Sequence, residues 1–202
     1  MPDRLPRFGD QRRTRIGLLG GSFNPAHAGH RHAAHEALTR LRLDQVWLLV
    51  SPGNPLKSAA EMAPLADRLR TAAAIADGRR IVATAIEAAM GTRFALDTIR
   101  ALTRRFRRAR FVWIMGSDIL TELPRWHRWR EIPRAVAFVV QPRPGYTRRA
   151  LAGQAARCLR HGRRPAHEAS VLARARRGWV VLRAPENAMS ATAIRAAEGA
   201  VS

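Results

Sequence analysis

The chain is poor in cysteine, in lysine, in acid and in long apolar runs, and each shortage narrows what it can be. One cysteine, Cys158, stands alone in 202 residues, so no internal disulfide can form and a reducing cytoplasm suits it best. No apolar run approaches a membrane span, although 47% of the residues are hydrophobic, enough for a sizeable core. The five arginines of Met1–Arg15 are not followed by an apolar stretch, which argues against a secretory signal. Lys57 is the only lysine; every other lysine-or-arginine position is arginine. Acidic residues number 15 against 36 lysines and arginines, a net charge of +21, so anions are attracted whatever the fold. Nucleic acid, phosphorylated metabolites and acidic surfaces would all answer to that charge.

The length favours one domain. Residues 1–13 are polar, basic and aperiodic, and read as a flexible extension ahead of a domain over residues 14–202. Within it short apolar runs alternate with amphipathic stretches. Strands are expected at Arg15–Leu19, Gln45–Val50, Ile81–Ala83, Arg110–Met115, Ala135–Val140 and Trp179–Leu182. Helices are expected at Gly29–Leu41, Leu65–Ala76 and Leu96–Phe106, through a helix-rich section from Thr147 to about Ala175, and from Ala191. RFVWIM and AVAFVV are continuous apolar runs, as in strands buried on both faces. The alternation implies βαβ units and a doubly wound α/β domain on a parallel sheet, with ligands outside the carboxyl ends of its strands.

GGSFNPAHAGH, Gly20 to His30, follows the first strand and runs into a helix. Gly20 and Gly21 permit a tight turn and a close approach of backbone to ligand. With His27 in the turn and His30 in the first helical turn, both imidazoles can reach one point. Backbone amides and the positive end of the helix converge there, which makes an anion site. The stretch lacks both the Gly-Lys-Ser/Thr of the P-loop and the GxGxxG spacing of dinucleotide folds.

Strand, Gly-Gly, Asn-Pro, His-x-Gly-His and helix in this order resemble the HxGH nucleotidylyltransferase superfamily, and within it the bacterial nicotinate-mononucleotide adenylyltransferases. Further segments carry the resemblance from about Arg15 to Arg195: SPGNPLK, GTRFALDTI, IMGSDIL, LPRWHRW and the second signature, MSATAIR. Ala95 departs from it where relatives often have threonine, and Ala26 where they have proline or an aliphatic residue. The resemblance implies a Rossmann-like fold and transfer of AMP from ATP to nicotinate mononucleotide in NAD biosynthesis. It assigns catalysis to His27, His30 and Arg195. ATP would meet Gly20, Gly21, Ser22, Phe23, Gly116, Asp118, Ser190 and Thr192; the mononucleotide would meet Asn24, Lys57, Phe94, Ala95 and Trp126. No protein metal site is implied; Mg²⁺ would arrive on the ATP phosphates.

The residue types suit such a reaction, because a phosphate nucleophile is already ionised and needs alignment and charge neutralisation rather than a base. Histidine donors, Ser190 and Thr192 at a helix start and the arginine fork of Arg195 supply both. The segment Thr92–Ala95, entering a helix at Leu96, would turn backbone N–H groups toward a pyridine carboxylate and so prefer the acid over the amide. Plainer readings stand beside these: Ser190 and Asp118 as helix caps, Trp126 and Trp129 as packing, Lys57 and Arg104–Arg110 as solvated residues. Two rival functions fit the sequence less well. Pantetheine-phosphate adenylyltransferases and cytidylyltransferases lack SPGNPLK and LPRW together, and no specific nucleic-acid motif accompanies the scattered arginines. No membrane partner is expected, and a homo-oligomer is left open.

Overall fold

The computed structural model describes residues 13–53 and 62–186. Seven parallel strands form one sheet: β1 (Arg15–Gly21), β2 (Gln45–Val50), β3 (Ile81–Thr84), β4 (Arg110–Gly116), β5 (Ala137–Gln141), β6 (Arg163–Arg164) and β7 (Trp179–Val181). Their order is β3-β2-β1-β4-β5-β7-β6, so the chain leaves β1 toward one edge and later returns to β4 on its other side. That reversal opens a crevice between the carboxyl ends of β1 and β4.

Alternation along each strand divides the interior into two layers. On β2, Val46, Leu48 and Val50 pack with Ala33, Ala37 and Leu38 of α1 (Ala28–Arg40) and Ala72 of α2 (Leu65–Ile75). Trp47 and Leu49 face the opposite way, onto Ile86 of α3 (Ile86–Ala89) and Leu96, Ile99 and Leu102 of α4 (Ala95–Arg105). The second layer continues through Leu120 of α5 (Ser117–Glu122), Ile132 of α6 (Ile132–Ala135), Ala150 of α7 (Thr147–Ala152) and Ala155 of α8 (Gln154–Cys158). Leu172 of α9 (Ala169–Leu172) closes the first layer. All six residues of β2 are buried, Gln45 included, as expected for a strand whose apolar run from Val46 to Val50 is covered on both faces.

The expected doubly wound sheet is present, with departures at element ends. β1 runs on through Gly20 and Gly21, which pair with Leu49 and Val50 of β2. Ala135 closes α6, because the amide of Val136 still bonds the carbonyl of Ile132, and β5 begins only at Ala137. The section from Thr147 holds three short helices and the two-residue β6 ahead of Pro165, which ends the ladder. Residues 1–12, and the helix expected from Ala191, lie outside the described residues.

Candidate active site

The crevice floor begins at the end of β1. Gly20 and Gly21 do not make the turn expected of them; both are strand residues, and their missing side chains serve packing. A Cβ on Gly20 would stand 3.0 Å from the Trp113 ring of β4, and one on Gly21 would stand 3.3 Å from the Phe23 ring. The turn falls to Phe23, a buried residue at φ 50°, followed by the cis peptide Asn24–Pro25. Phenylalanine in left-handed backbone is costly and persists where the surroundings fix it.

Arg68 of α2 is part of what fixes it. It is 2% exposed, and its guanidinium donates to the carbonyls of Ser22 and Ser51 at 2.8 and 2.7 Å, of Ala63 at 2.8 Å and of Pro52 at 3.4 Å. One cation thereby ties the loops after β1 and β2 to the chain entering α2. Burial lowers its pKa. Asn24 joins the same arrangement, its Oδ1 accepting the amide of Ala63 at 3.2 Å. Nothing at Arg68 stands out in the sequence, since a buried arginine looks like any other in a chain this rich in them.

His27 and His30 begin α1 and cap it reciprocally. Nδ1 of His27 accepts the amide of Gly29 at 3.1 Å, and Nδ1 of His30 accepts the amide of His27 at 3.3 Å. Their rings lie 3.9 Å apart, and the Phe23 ring is 4.7 Å from His30. A nitrogen that accepts a hydrogen bond carries no proton, so each neutral ring holds its proton on Nε2. Burial, then His27 and Arg143, lowers the His30 pKa to about 3; burial and Arg143 lower that of His27. The pair is a twin neutral donor at a helix N-terminus.

Across the crevice, Gly116 ends β4 and precedes α5. A Cβ there would overlap the Asp118 carboxylate and stand 3.0 Å from Nε of Arg143, so only glycine admits that carboxylate. Asp118 Oδ1 is 3.6 Å from Arg143 Nε and, although buried, accepts no hydrogen bond. The Arg143 amide is held by Ser117 Oγ and Thr147 Oγ1, each at 3.0 Å. Sequence reasoning passed over Arg143; its signal was its place just beyond the end of β5, where a strand meets the crevice.

A third wall comes from Phe94, which stacks on His127 at 4.5 Å, and from Trp126, whose ring meets Trp113 edge-on at 6.3 Å. Trp126 is half-buried and Trp129 fully so, which leaves Trp126 the one able to show a face. Helix α4 starts at Ala95, one residue earlier than expected; the Phe94 carbonyl accepts the amides of Asp97 and Thr98 at 3.0 Å, and its side chain caps nothing. The Thr92 amide, expected to point into the crevice, instead bonds the carbonyl of Glu87 at 2.9 Å. Lys57, Ser190, Thr192 and Arg195 lie outside the described residues.

Comparison with known proteins shows the family and the fold. The cytidylyltransferase-like family model matches residues 18–197. A probable nicotinate-nucleotide adenylyltransferase of Gluconobacter oxydans (strain 621H) is 58% identical over 182 residues, 90% of this chain and 93% of the relative. A protein of the same description from Gluconacetobacter diazotrophicus is 54% identical, over 95% of this chain and 90% of its own. In fold, the chain resembles Plasmodium falciparum nicotinic acid mononucleotide adenylyltransferase complexed with NaAD, at TM-score 0.67 and 14% identity over 90% of this chain and 82% of that one.

Proposed function

The chain belongs to the cytidylyltransferase-like family, beside the nicotinate-nucleotide adenylyltransferases, and from that membership we propose that it adenylylates nicotinate mononucleotide. A phosphate oxygen of the mononucleotide attacks the α-phosphorus of ATP. The bond from that phosphorus to the β-phosphate bridging oxygen breaks, giving nicotinate adenine dinucleotide and pyrophosphate.

The observation that carries this reading is the reciprocal capping of His27 and His30. It leaves each imidazole a neutral Nε2–H donor without any ionisation, suited to charge that grows on a transferring phosphate. Donors already oriented need no reorganisation at the moment of reaction. Arg143, whose charge is felt by both imidazoles, adds a cation from the opposite lip. The Asp118 carboxylate, about a third of whose side chain is exposed, would accept from a ribose hydroxyl, and Gly116 makes room for the carboxylate itself. Gly20, Gly21, Ser22 and Phe23 form the floor beneath the phosphates; Asn24, Phe94, Ala95 and Trp126 take the mononucleotide. The roles of Lys57, Ser190, Thr192 and Arg195 follow from the resemblance of their segments to the family signatures.

Mg²⁺ would supply charge neutralisation on the triphosphate. Its ligands would be mainly phosphate oxygens and water rather than a protein cage. No described helix is long and apolar enough to cross a membrane, and exposed Cys158 suits a cytoplasmic enzyme.

A substrate panel tests the reading: nicotinate and nicotinamide mononucleotides and phosphopantetheine, each with ATP and with CTP, followed by pyrophosphate release. Nicotinate mononucleotide with ATP is expected to lead, by roughly 10²-fold over the amide in kcat/KM if two α4 amides meet the carboxylate. Preference for phosphopantetheine or CTP would replace this proposal with another activity of the family.

A further inference from the structure

Beneath the loop that leads into α4 lies a buried carboxylate for which the proposed reaction has no use. Glu87 of α3 is 6% exposed, and Thr98 of α4 is fully buried. The Thr98 hydroxyl donates to Glu87 Oε1 at 2.8 Å and lies 2.9 Å from the Thr92 hydroxyl. Thr92 returns to the same residue, its amide bonding the Glu87 carbonyl at 2.9 Å and its hydroxyl approaching that carbonyl at 3.4 Å. Gly91, at φ +65°, makes the turn that allows this. The loop from Gly91 to Ala95 is thus fastened below to one glutamate through Thr92. Above, Phe94 stacks on His127, the neighbour of Trp126.

We infer that Glu87 is a positioning residue for the mononucleotide: through Thr98 and Thr92 it sets where Phe94 and the first amides of α4 stand. The inference rests on the proposed reaction and adds what makes its substrate loop rigid. An ionised carboxylate only accepts hydrogen bonds, so it orders the row of hydroxyls in one direction. Thr98 must donate to Glu87, and Thr92 is then left to donate to Thr98. A glutamine could both donate and accept at that position, and the order would be lost. Burial pushes the Glu87 carboxyl up to about 6, so the ionised form is stored at a cost that a purely structural glutamine would avoid. A group kept at a cost to stability beside a site is explained by what it positions.

The test uses the full chain with saturating ATP at a pH well above 6, comparing wild type, Glu87→Gln, Thr98→Val and Thr98→Ser. Glu87→Gln and Thr98→Val are expected to raise KM for nicotinate mononucleotide about ten-fold and to narrow the preference for acid over amide to match. KM for ATP should stay within about two-fold, Thr98→Ser should behave as wild type, and the Tm of Glu87→Gln should not fall. Should Thr98→Val fail to fold, the nearly isosteric Glu87→Gln decides alone. Unchanged constants would overturn the inference, as would a joint rise in both KM values, which signals general loosening. A lower KM for the acid in Glu87→Gln would also overturn it, since the carboxylate would then act by repulsion. Wild-type enzyme that ignores nicotinate mononucleotide overturns the reaction instead; selective wild type with an indifferent Glu87→Gln overturns only this step.

Discussion

Each histidine at the start of α1 holds a backbone amide at Nδ1, so one side chain both builds the helix and offers a donor from Nε2. His30→Ala should lower kcat by about 10²-fold, the effect of losing one preorganised donor to a growing anion. The lost cap should cost only about 1 kcal/mol of stability. Circular dichroism with steady-state kinetics separates the two, and near-wild-type turnover would remove His30 from the chemistry. The same residue makes stability depend on acid. In the unfolded chain His30 titrates near its ordinary 6.5, whereas in the fold it resists protonation down to about 3. Between those values the unfolded chain binds the extra proton, so the His30 contribution is intact above about 6.5 and is lost as pH falls toward 3. At about pH 5 that loss reaches ~2 kcal/mol. Denaturant midpoints at neutral pH and near pH 5 should show wild type losing that much more than His30→Ala; equal losses would place the acid sensitivity elsewhere.

At the scale of elements, the end of the first strand leaves little room beside β4. Gly20→Ala would press a Cβ to 3.0 Å from Trp113, a ring already braced by Trp126. Both sit in a packed layer, so the expected cost is about 1–3 kcal/mol of overpacking, read as a lowered Tm, with a raised KM as Trp126 shifts. Wild-type stability would show that the ring can yield. This is also where sequence reading reached its limit. The Gly-Gly pair announced a backbone needing space, and the space is there, but it belongs to a strand beside an indole, while Phe23 makes the turn. β2 was legible from end to end because a short run rich in β-branched and aromatic residues favours a strand covered on both faces. The helix starts that bring His27 and His30 together were equally plain, since spacing alone places them. What stayed hidden depends on partners far apart in the chain: the carbonyls around Arg68, the carboxylate of Asp118 facing Arg143, and the hydroxyls that join α3 to α4. No local pattern announces a contact across 46 residues.

For the molecule as a whole, the charge of +21 is the property that any polyanion meets first. Some of it gathers where the crevice is not: Arg100, Arg104, Arg107 and Arg134 line a groove of about 580 Å³ toward the carboxyl end of α4, with Glu131 among them. The amino end of that helix, by contrast, faces the candidate site. Diffuse charge of this kind should bind random duplex DNA weakly and release it by roughly 0.15 M salt, while turnover of small nucleotides persists. Filter binding across a salt series measures this, and sequence-selective retention at physiological salt would contradict it.

The knot of carbonyls around Arg68 gives the molecule an order of disassembly. Guanidinium keeps its proton at any pH a protein survives, so acid does not release the loops after β1 and β2 from α2. The imidazole caps are different, because a protonated Nδ1 can no longer accept an amide. As pH falls, the first turn of α1 should fray while the rim beside it stays shut. Hydrogen–deuterium exchange would show the amides of His27 and Gly29 brightening well before that of Ser51, which bonds the carbonyl of Gly21. An acid-weakened enzyme of this design would keep the outline of its mouth after losing the two donors inside it.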